Sequence, residues 1–172
     1  MGIRQRLGRE FETIQDMERA IDKRYLEASR LIVSPGGVNQ WGGVYLLGYV
    51  GEMVLKMAYF KLQDCHLETP AKIELSGASL VAVRFGIVKS KSDFDRHSLT
   101  HLLDLVLLTR QSKGRSRFPS IGENELSKTV TRLQTNWWVA MRYFGEAPLV
   151  SEVKEAFEDA SWLRTYYYEL WS

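Results

Sequence analysis

The segment from Trp41 to Phe60 constrains the fold of this chain more than any other feature of the sequence. Its 20 residues are mostly apolar and are interrupted by two charged residues, Glu52 and Lys56. Each charge would lie mid-span, where insertion into a membrane costs roughly 2.5–3.5 kcal/mol per charged residue. We therefore predict a buried core helix from about Gln40 to Leu62 that has neighbours on all sides.

Four glycines lie within this apolar segment, and each would cost a helix about 0.5–1 kcal/mol relative to alanine. They are Gly42, Gly43, Gly48 and Gly51. Their presence predicts that other helices approach its backbone closely.

Other segments show the spacing of apolar residues that is typical of amphipathic helices. They are 11–32, which a Ser-Pro-Gly-Gly turn ends at residues 34–37, and 98–111, 123–144 and 149–172. The stretch from Gln63 to His97 is the hardest to interpret and could be a variable insertion. We favour a short helix over residues 73–88, with strands as the alternative because of its β-branched residues. The whole pattern predicts one all-α domain over residues 1–172, an antiparallel helical bundle of about five helices.

Composition narrows the range of functions. The chain of 172 residues carries a net charge of +2, so any nucleic-acid binding must come from a local patch. Cys65 is the single cysteine and cannot form an intramolecular disulfide, and the three histidines do not have zinc-ligand spacing. We expect a cytoplasmic protein without a metal or cofactor, and the first six residues show no export signal.

The central segment also carries a recognisable string, Trp-Gly-Gly-Val-Tyr-Leu-Leu-Gly-Tyr-Val-Gly-Glu-Met-Val-Leu-Lys, over residues 41–56. It resembles the second helix of HEPN domains, in which a Tyr-Leu pair, a Gly-Tyr step and a Glu before Leu-Lys recur. An amphipathic first helix, the string His-Leu-Leu-Asp-Leu at 101–105, and Trp138 followed by Met-Arg-Tyr at 141–143 agree with that family in order. About two-thirds of the chain is covered by the resemblance.

The resemblance implies an HEPN-like fold and a role in RNA metabolism, toxin–antitoxin function or phage defence. Some members of the family are metal-independent ribonucleases, and others are non-catalytic partners of small nucleotidyltransferases. A homodimer would bring two catalytic pairs to one cleft. The aromatic C-terminal segment is interpreted first as core and second as a dimer interface.

Arg96 and His101 fit the catalytic signature of this family, an arginine followed a few residues later by a histidine. The arginine could stabilise charge on a scissile phosphate, and the histidine could transfer the proton of the 2′-hydroxyl or of the leaving group. The alternative is that Arg96 and His97 are solvated residues before a helix, while His101 caps or packs in its first turn.

Two more groups of charged residues are candidate sites. Glu52, Lys56 and Arg142, with Tyr143 beside it, lie in apolar surroundings, which favours a structural ion pair over a ligand or RNA cleft. The second group is a basic loop around Gly114 that could track a phosphate backbone, although most such loops are simply solvated. Its cations are Arg110, Lys113, Arg115 and Arg117.

The leading hypothesis from the sequence is a non-catalytic HEPN-like protein that partners a nucleotidyltransferase or binds RNA. One alternative is a metal-independent endoribonuclease that uses Arg96 and His101. A second alternative is a small-molecule-binding bundle with its ligand near Glu52 and Arg142.

Overall fold

The computed structural model describes residues 13–34, 39–115, 118–137 and 148–172, and within these ranges it contains helices and no strand. The all-α prediction is therefore confirmed. We number the α-helices of the described ranges in chain order. They are α1 (Ile14–Ile32), α2 (Gln40–Leu62), α3 (Ala71–Arg84), α4 (Leu99–Ser112), α5 (Glu123–Asn136) and α6 (Val150–Thr165), and short 3-10 helices cover Lys91–Asp93 and Tyr167–Leu170.

Helix α1 is amphipathic, as predicted, and two sets of contacts fix its start. The Thr13 hydroxyl accepts a hydrogen bond from the Asp16 backbone N–H, and the Asp16 carboxylate accepts one from the Thr13 N–H. The next two backbone N–H groups, of Ile14 and Gln15, donate to carbonyl oxygens of the loop after α2, at Thr69 and Leu67 respectively. The first turn of α1 is thus capped by a distant segment of the chain.

Helix α2 is the centre of the fold, and its bounds are those predicted. Every residue from Val50 to Phe60 is buried. Helix α1 packs against it in the opposite direction, since Gly43 contacts Ile32 while Lys61 pairs with Glu18. A helix surrounded in this way must be apolar on all faces, which explains the segment that dominates the sequence.

The segment 63–97 contains α3, so the helix favoured in the sequence is present, although it begins after Pro70 and ends at Arg84. This segment also carries the chain back along the bundle. As a result, α4 runs in the same direction as α2: Leu99 lies near Gly51, and Lys113 pairs with Asp64. Helices α1 and α5, by contrast, run antiparallel to α2.

Helix α5 is shorter than the spacing of its apolar residues predicts. It ends at Asn136, because Trp137 adopts an extended backbone with φ −126° and ψ 129°. The indole of Trp137 is buried, and its Nε1 donates a hydrogen bond to the Tyr45 carbonyl at 3.0 Å. The remainder of the predicted helix, residues 138–144, lies outside the described residues.

Helix α6 also ends earlier than predicted, at Thr165, and the last residues form a 3-10 turn over Tyr167–Leu170 instead of continuing the α-helix. It packs antiparallel to α5, where Arg132 forms a bidentate ion pair with the buried carboxylate of Asp159. Among the described residues, no helix is long and apolar enough to cross a membrane.

Candidate functional site

A buried ion pair lies on α2. Glu52 and Lys56 are one helical turn apart, the ammonium group of Lys56 contacts the Glu52 carboxylate, and the two residues are 2% and 4% exposed. A buried charge is costly unless it is paired, so each residue makes the other tolerable at this depth. The sequence predicted that Glu52 would pair with Lys56 or Arg142; the contact with Lys56 is present, whereas Arg142 lies outside the described residues.

The Glu52 carboxylate has a second partner, His97. The Nδ1 atom of this histidine lies 3.1 Å from Oε2 and 3.2 Å from Oε1 of Glu52, while half of its side chain remains exposed. An ionised carboxylate can only accept hydrogen bonds, so Nδ1 carries the hydrogen and donates it. In the neutral ring, Nε2 on the opposite edge is then left with a lone pair that can accept a proton.

The loop that presents His97 is held at both ends. The His97 backbone N–H donates to the Asp95 carboxylate at 2.8 Å, and the Ser98 hydroxyl caps α4 by accepting from the His101 N–H. Next to this loop, at the start of α4, the Leu99 N–H donates to the side-chain oxygen of Gln134 on α5 at 2.6 Å. The position of the imidazole over Glu52 is therefore fixed by contacts to both neighbouring helices.

His101 has a different environment from His97. Its Nδ1 lies 3.2 Å from the Asp95 backbone nitrogen and accepts the hydrogen of that amide, and its ring stacks on Phe94 at 5.8 Å. In the neutral ring the hydrogen consequently resides on Nε2. Arg96, which directly precedes His97 in the chain, is exposed. The structure thus brings Arg96, His97 and His101 to one corner, with His97 rather than His101 against the carboxylate.

Arg110 is part of the protein interior, which argues against it as an RNA contact. It is 2% exposed, and its Nη1 donates to the carbonyl oxygens of Glu169, Leu170 and Ser172 at 3.0–3.1 Å. Its guanidinium also lies 4.2 Å from the centre of the Phe118 ring, and burial lowers its pKa. The spacing of residues in the sequence did not predict this role, because an arginine near a helix end is usually solvated.

The other described cations of the basic loop are exposed and make contacts within the chain. Lys113 pairs with Asp64 at 2.5 Å and lowers the pKa of that carboxyl, and Arg115 donates to the Trp171 carbonyl. RNA binding by Lys113 and Arg115 stays a prediction. Arg117 and Tyr143, like Arg142, lie outside the described residues.

A groove of about 540 Å³ lies between the turn after α3, the outer face of α4 and the start of α5. Phe85, Leu107 and Phe118 supply apolar surface there, and Asp104 and Glu123 supply carboxylates. Burial raises the pKa of Asp104. The small-molecule alternative assumed a ligand near Glu52, and this groove is not at that position.

Sequence reasoning identified Glu52, Lys56, Arg96 and His101 but missed the contact that joins the two groups. His97 and Glu52 are 45 positions apart, and no periodicity links a loop residue to a helix that far away. The available signal was chemical: a carboxylate in an apolar helix needs polar partners. Comparisons with protein-family models, with curated proteins and with solved structures found no match for this chain.

Proposed function

We propose that this chain is an HEPN-like, metal-independent endoribonuclease in which His97 transfers the protons. The observation that carries the proposal is the contact between the His97 Nδ1 and the buried Glu52 carboxylate. A carboxylate behind an imidazole fixes its tautomer and orientation and stabilises the imidazolium that forms during proton transfer. The choice of RNA as substrate rests on the resemblance of residues 41–56 to HEPN domains.

The proposed reaction needs few groups. Nε2 of His97 removes the proton of a ribose 2′-hydroxyl, and that oxygen attacks the adjacent phosphorus as the bond to the 5′-oxygen breaks. A proton then passes to the departing 5′-oxygen, from the imidazolium or from water. The products are a 2′,3′-cyclic phosphate and a 5′-hydroxyl end. The exposed guanidinium of Arg96 neutralises charge that develops on the phosphate oxygens.

Glu52 and Lys56 do not touch the substrate in this scheme. Glu52 is a positioning residue that holds the imidazole, and Lys56 anchors the Glu52 carboxylate in the interior through their ion pair. Because both residues are buried, the side chains that contact the RNA in this scheme are those of the exposed residues His97 and Arg96.

The test is incubation of the purified chain with mixed cellular RNA in EDTA, comparing wild type with His97→Gln, His101→Gln and His66→Ala. Glutamine at 97 can still donate a hydrogen bond to Glu52 but cannot transfer a proton, so it separates chemistry from folding. His66 is an exposed histidine on another loop and is the matched control.

We expect the wild type and His66→Ala to cleave RNA into products with cyclic phosphate ends. His97→Gln should lose about 10²–10⁴-fold in rate, the usual contribution of a general acid or base. An inactive wild type, or an active His97→Gln, would overturn the proposal. Loss of cleavage in His101→Gln alone would return the catalytic role to the pair Arg96 and His101.

A second candidate function, a non-catalytic partner of a small nucleotidyltransferase, is supported by the environment of His101. That ring accepts a backbone hydrogen bond and packs on Phe94, as a structural histidine would. This reading predicts a stable complex with a nucleotidyltransferase and no cleavage. Co-purification from the native host tests the complex, and light scattering of the purified chain tests the homodimer that the resemblance implies.

A further inference from the structure

The groove beside α4 contains two carboxylates that the fold does not use. Asp104 on the outer face of α4 and Glu123, the first residue of α5, both line it and are both exposed. Neither carboxylate forms a hydrogen bond or an ion pair with any residue that the structure describes. Two acids that face one groove without a cation attract a positively charged ligand.

The walls of the groove are apolar. Its volume of about 540 Å³ lies within the range of roughly 300–1,000 Å³ that is usual for small-molecule sites. A Cβ atom at Gly86, which lines the groove with φ +73°, would meet no atom within 4 Å, so space is open at the turn after α3. The apolar lining residues, all of them partly exposed, are Phe85, Ile87, Leu107, Leu108 and Phe118.

Arg110 is the one cation among the residues that line the groove, and it belongs to the interior. Its side chain is 2% exposed, its Nη1 donates to three carbonyl oxygens at the C-terminus, and its guanidinium lies against the Phe118 ring. The charges that a ligand meets at the surface of the groove are therefore those of Asp104 and Glu123.

The environment of Asp104 adds to this preference for cations. Burial raises the pKa of its carboxyl, and the charge of His101, one turn earlier on α4, acts in the opposite direction. A carboxylate that has lost part of its water shell interacts more strongly with a cation that replaces this water. Asp104 is thus better suited to pair with a ligand than a fully solvated acid.

We propose that this groove binds a small organic cation, a protonated amine on a flat apolar body. The ammonium group pairs with Asp104 and Glu123, which accept the hydrogen bonds that it donates. The body packs against Phe85, Leu107 and Phe118. This inference goes beyond RNA cleavage and holds or fails independently of it.

The test is a titration of the isotope-labelled chain at pH 7, followed through its amide resonances by two-dimensional NMR. Three probes share an indole ring and differ in charge: tryptamine is a cation, tryptophol is neutral and indole-3-acetate is an anion. Asp104→Asn and Glu123→Gln remove one charge each and keep the shape of the side chain. Glu125→Gln is the matched control, because Glu125 is an exposed acid in the same first turn of α5 that does not line the groove.

Tryptamine is expected to shift the amide resonances of Gly86, Gln111 and Glu123 and to bind more tightly than tryptophol, with indole-3-acetate weakest. Asp104→Asn and Glu123→Gln should each weaken tryptamine binding by about 3- to 10-fold, between the usual effects of losing an exposed charge pair and a hydrogen bond to a charged group. Tryptophol should bind both variants like the parent, which shows that the groove is intact. Glu125→Gln should bind tryptamine like the parent.

Three results would overturn the proposal. Tryptamine that leaves the resonances of Gly86, Gln111 and Glu123 unchanged does not enter the groove. Equal binding of tryptamine and tryptophol, or tighter binding of indole-3-acetate, shows that the carboxylates do not select a cation. An equal loss in Glu125→Gln shows that the attraction comes from the general charge of this end of α5.

Discussion

At Gly48, the backbone of α2 passes directly beneath the indole ring of Trp137. A Cβ atom at this position would lie 1.9 Å from the Cγ atom of Trp137, closer than any real contact. Gly77, in the middle of α3, is the opposite case, because a Cβ there meets nothing within 4 Å. One glycine is required by packing, and the other only costs the helix conformational entropy.

These two sites give a matched pair of predictions. Gly48→Ala should lower the free energy of unfolding by about 3 kcal/mol, the upper part of the range for overpacking in a rigid core. Gly77→Ala should raise it by about 0.5–1 kcal/mol, since alanine is the better helix former. Urea denaturation followed by circular dichroism measures both. Equal effects of the two substitutions would contradict this account of Gly48.

The sequence predicts contacts between residues that are close along the chain better than contacts between distant residues. Glu52 and Lys56 stand out because they interrupt an apolar helix, so their burial and pairing were predictable from their immediate neighbours. The contact with His97 depends on the conformation of a loop far along the chain, held by Asp95 and Ser98. The periodic spacing of apolar residues cannot predict such a contact.

At the scale of elements, α4 fastens the C-terminal 3-10 turn through one side chain. Nη1 of Arg110 donates to the carbonyl oxygens of Glu169 and Leu170 in that turn and of Ser172 just after it. Arg115 donates to the Trp171 carbonyl. A short 3-10 turn cannot satisfy its own carbonyl groups, so a charged donor from another helix completes it.

Arg110→Met should loosen this turn and lower the free energy of unfolding by about 2 kcal/mol, because hydrogen bonds to a charged group are lost and buried carbonyls remain without a partner. Faster amide exchange confined to residues 167–172 would show that the turn is the affected element. Lys113→Ala is the control, because its partner Asp64 is exposed, and little change is expected. A stability loss without local exchange would argue against the clamp.

The bounds of the helices were predictable where the chain itself supplies the stop signal. Helix α2 follows the sequence Pro-Gly-Gly and has the predicted limits. Helix α5, in contrast, stops before Trp137, because the indole of Trp137 hydrogen-bonds to α2. The spacing of apolar residues continued through this point, since a buried tryptophan fits a helical stripe as well as it fits an extended residue. Tertiary contacts therefore decided what the local pattern could not.

At the scale of the whole molecule, the buried phenol of Tyr59 and the partly buried thiol of Cys65, near the end of α2, make the stability of the fold depend on pH in the alkaline range. Burial raises the pKa of Tyr59 to about 12 from 10.0, and burial, helped by a hydrogen bond to Glu74, raises the pKa of Cys65 to about 12 from 9.0. The unfolded chain loses these protons at lower pH than the folded chain. The contribution of these two groups to the free energy of unfolding is therefore complete below about pH 9 and is lost as the pH rises toward 12.

The urea midpoint is therefore expected to fall steadily between pH 9 and pH 11. Cys65→Ala should make the decline shallower in the lower part of this window, because the thiol is the first of the two groups to titrate in the unfolded chain. The Tyr59 contribution should remain. A midpoint that stays constant from pH 8 to pH 11 would show that these protons do not contribute to folding.

The start of α1 has a consequence for the order in which the chain acquires its structure. Its Ile14 and Gln15 amides bond to carbonyls at Thr69 and Leu67, so this turn is completed by a segment synthesised some fifty residues later. During translation, the amides of Ile14 and Gln15 cannot form these two hydrogen bonds until α2 and the loop after it have left the ribosome. Its first turn should then become protected late, together with the loop at 67–69, as one folding unit.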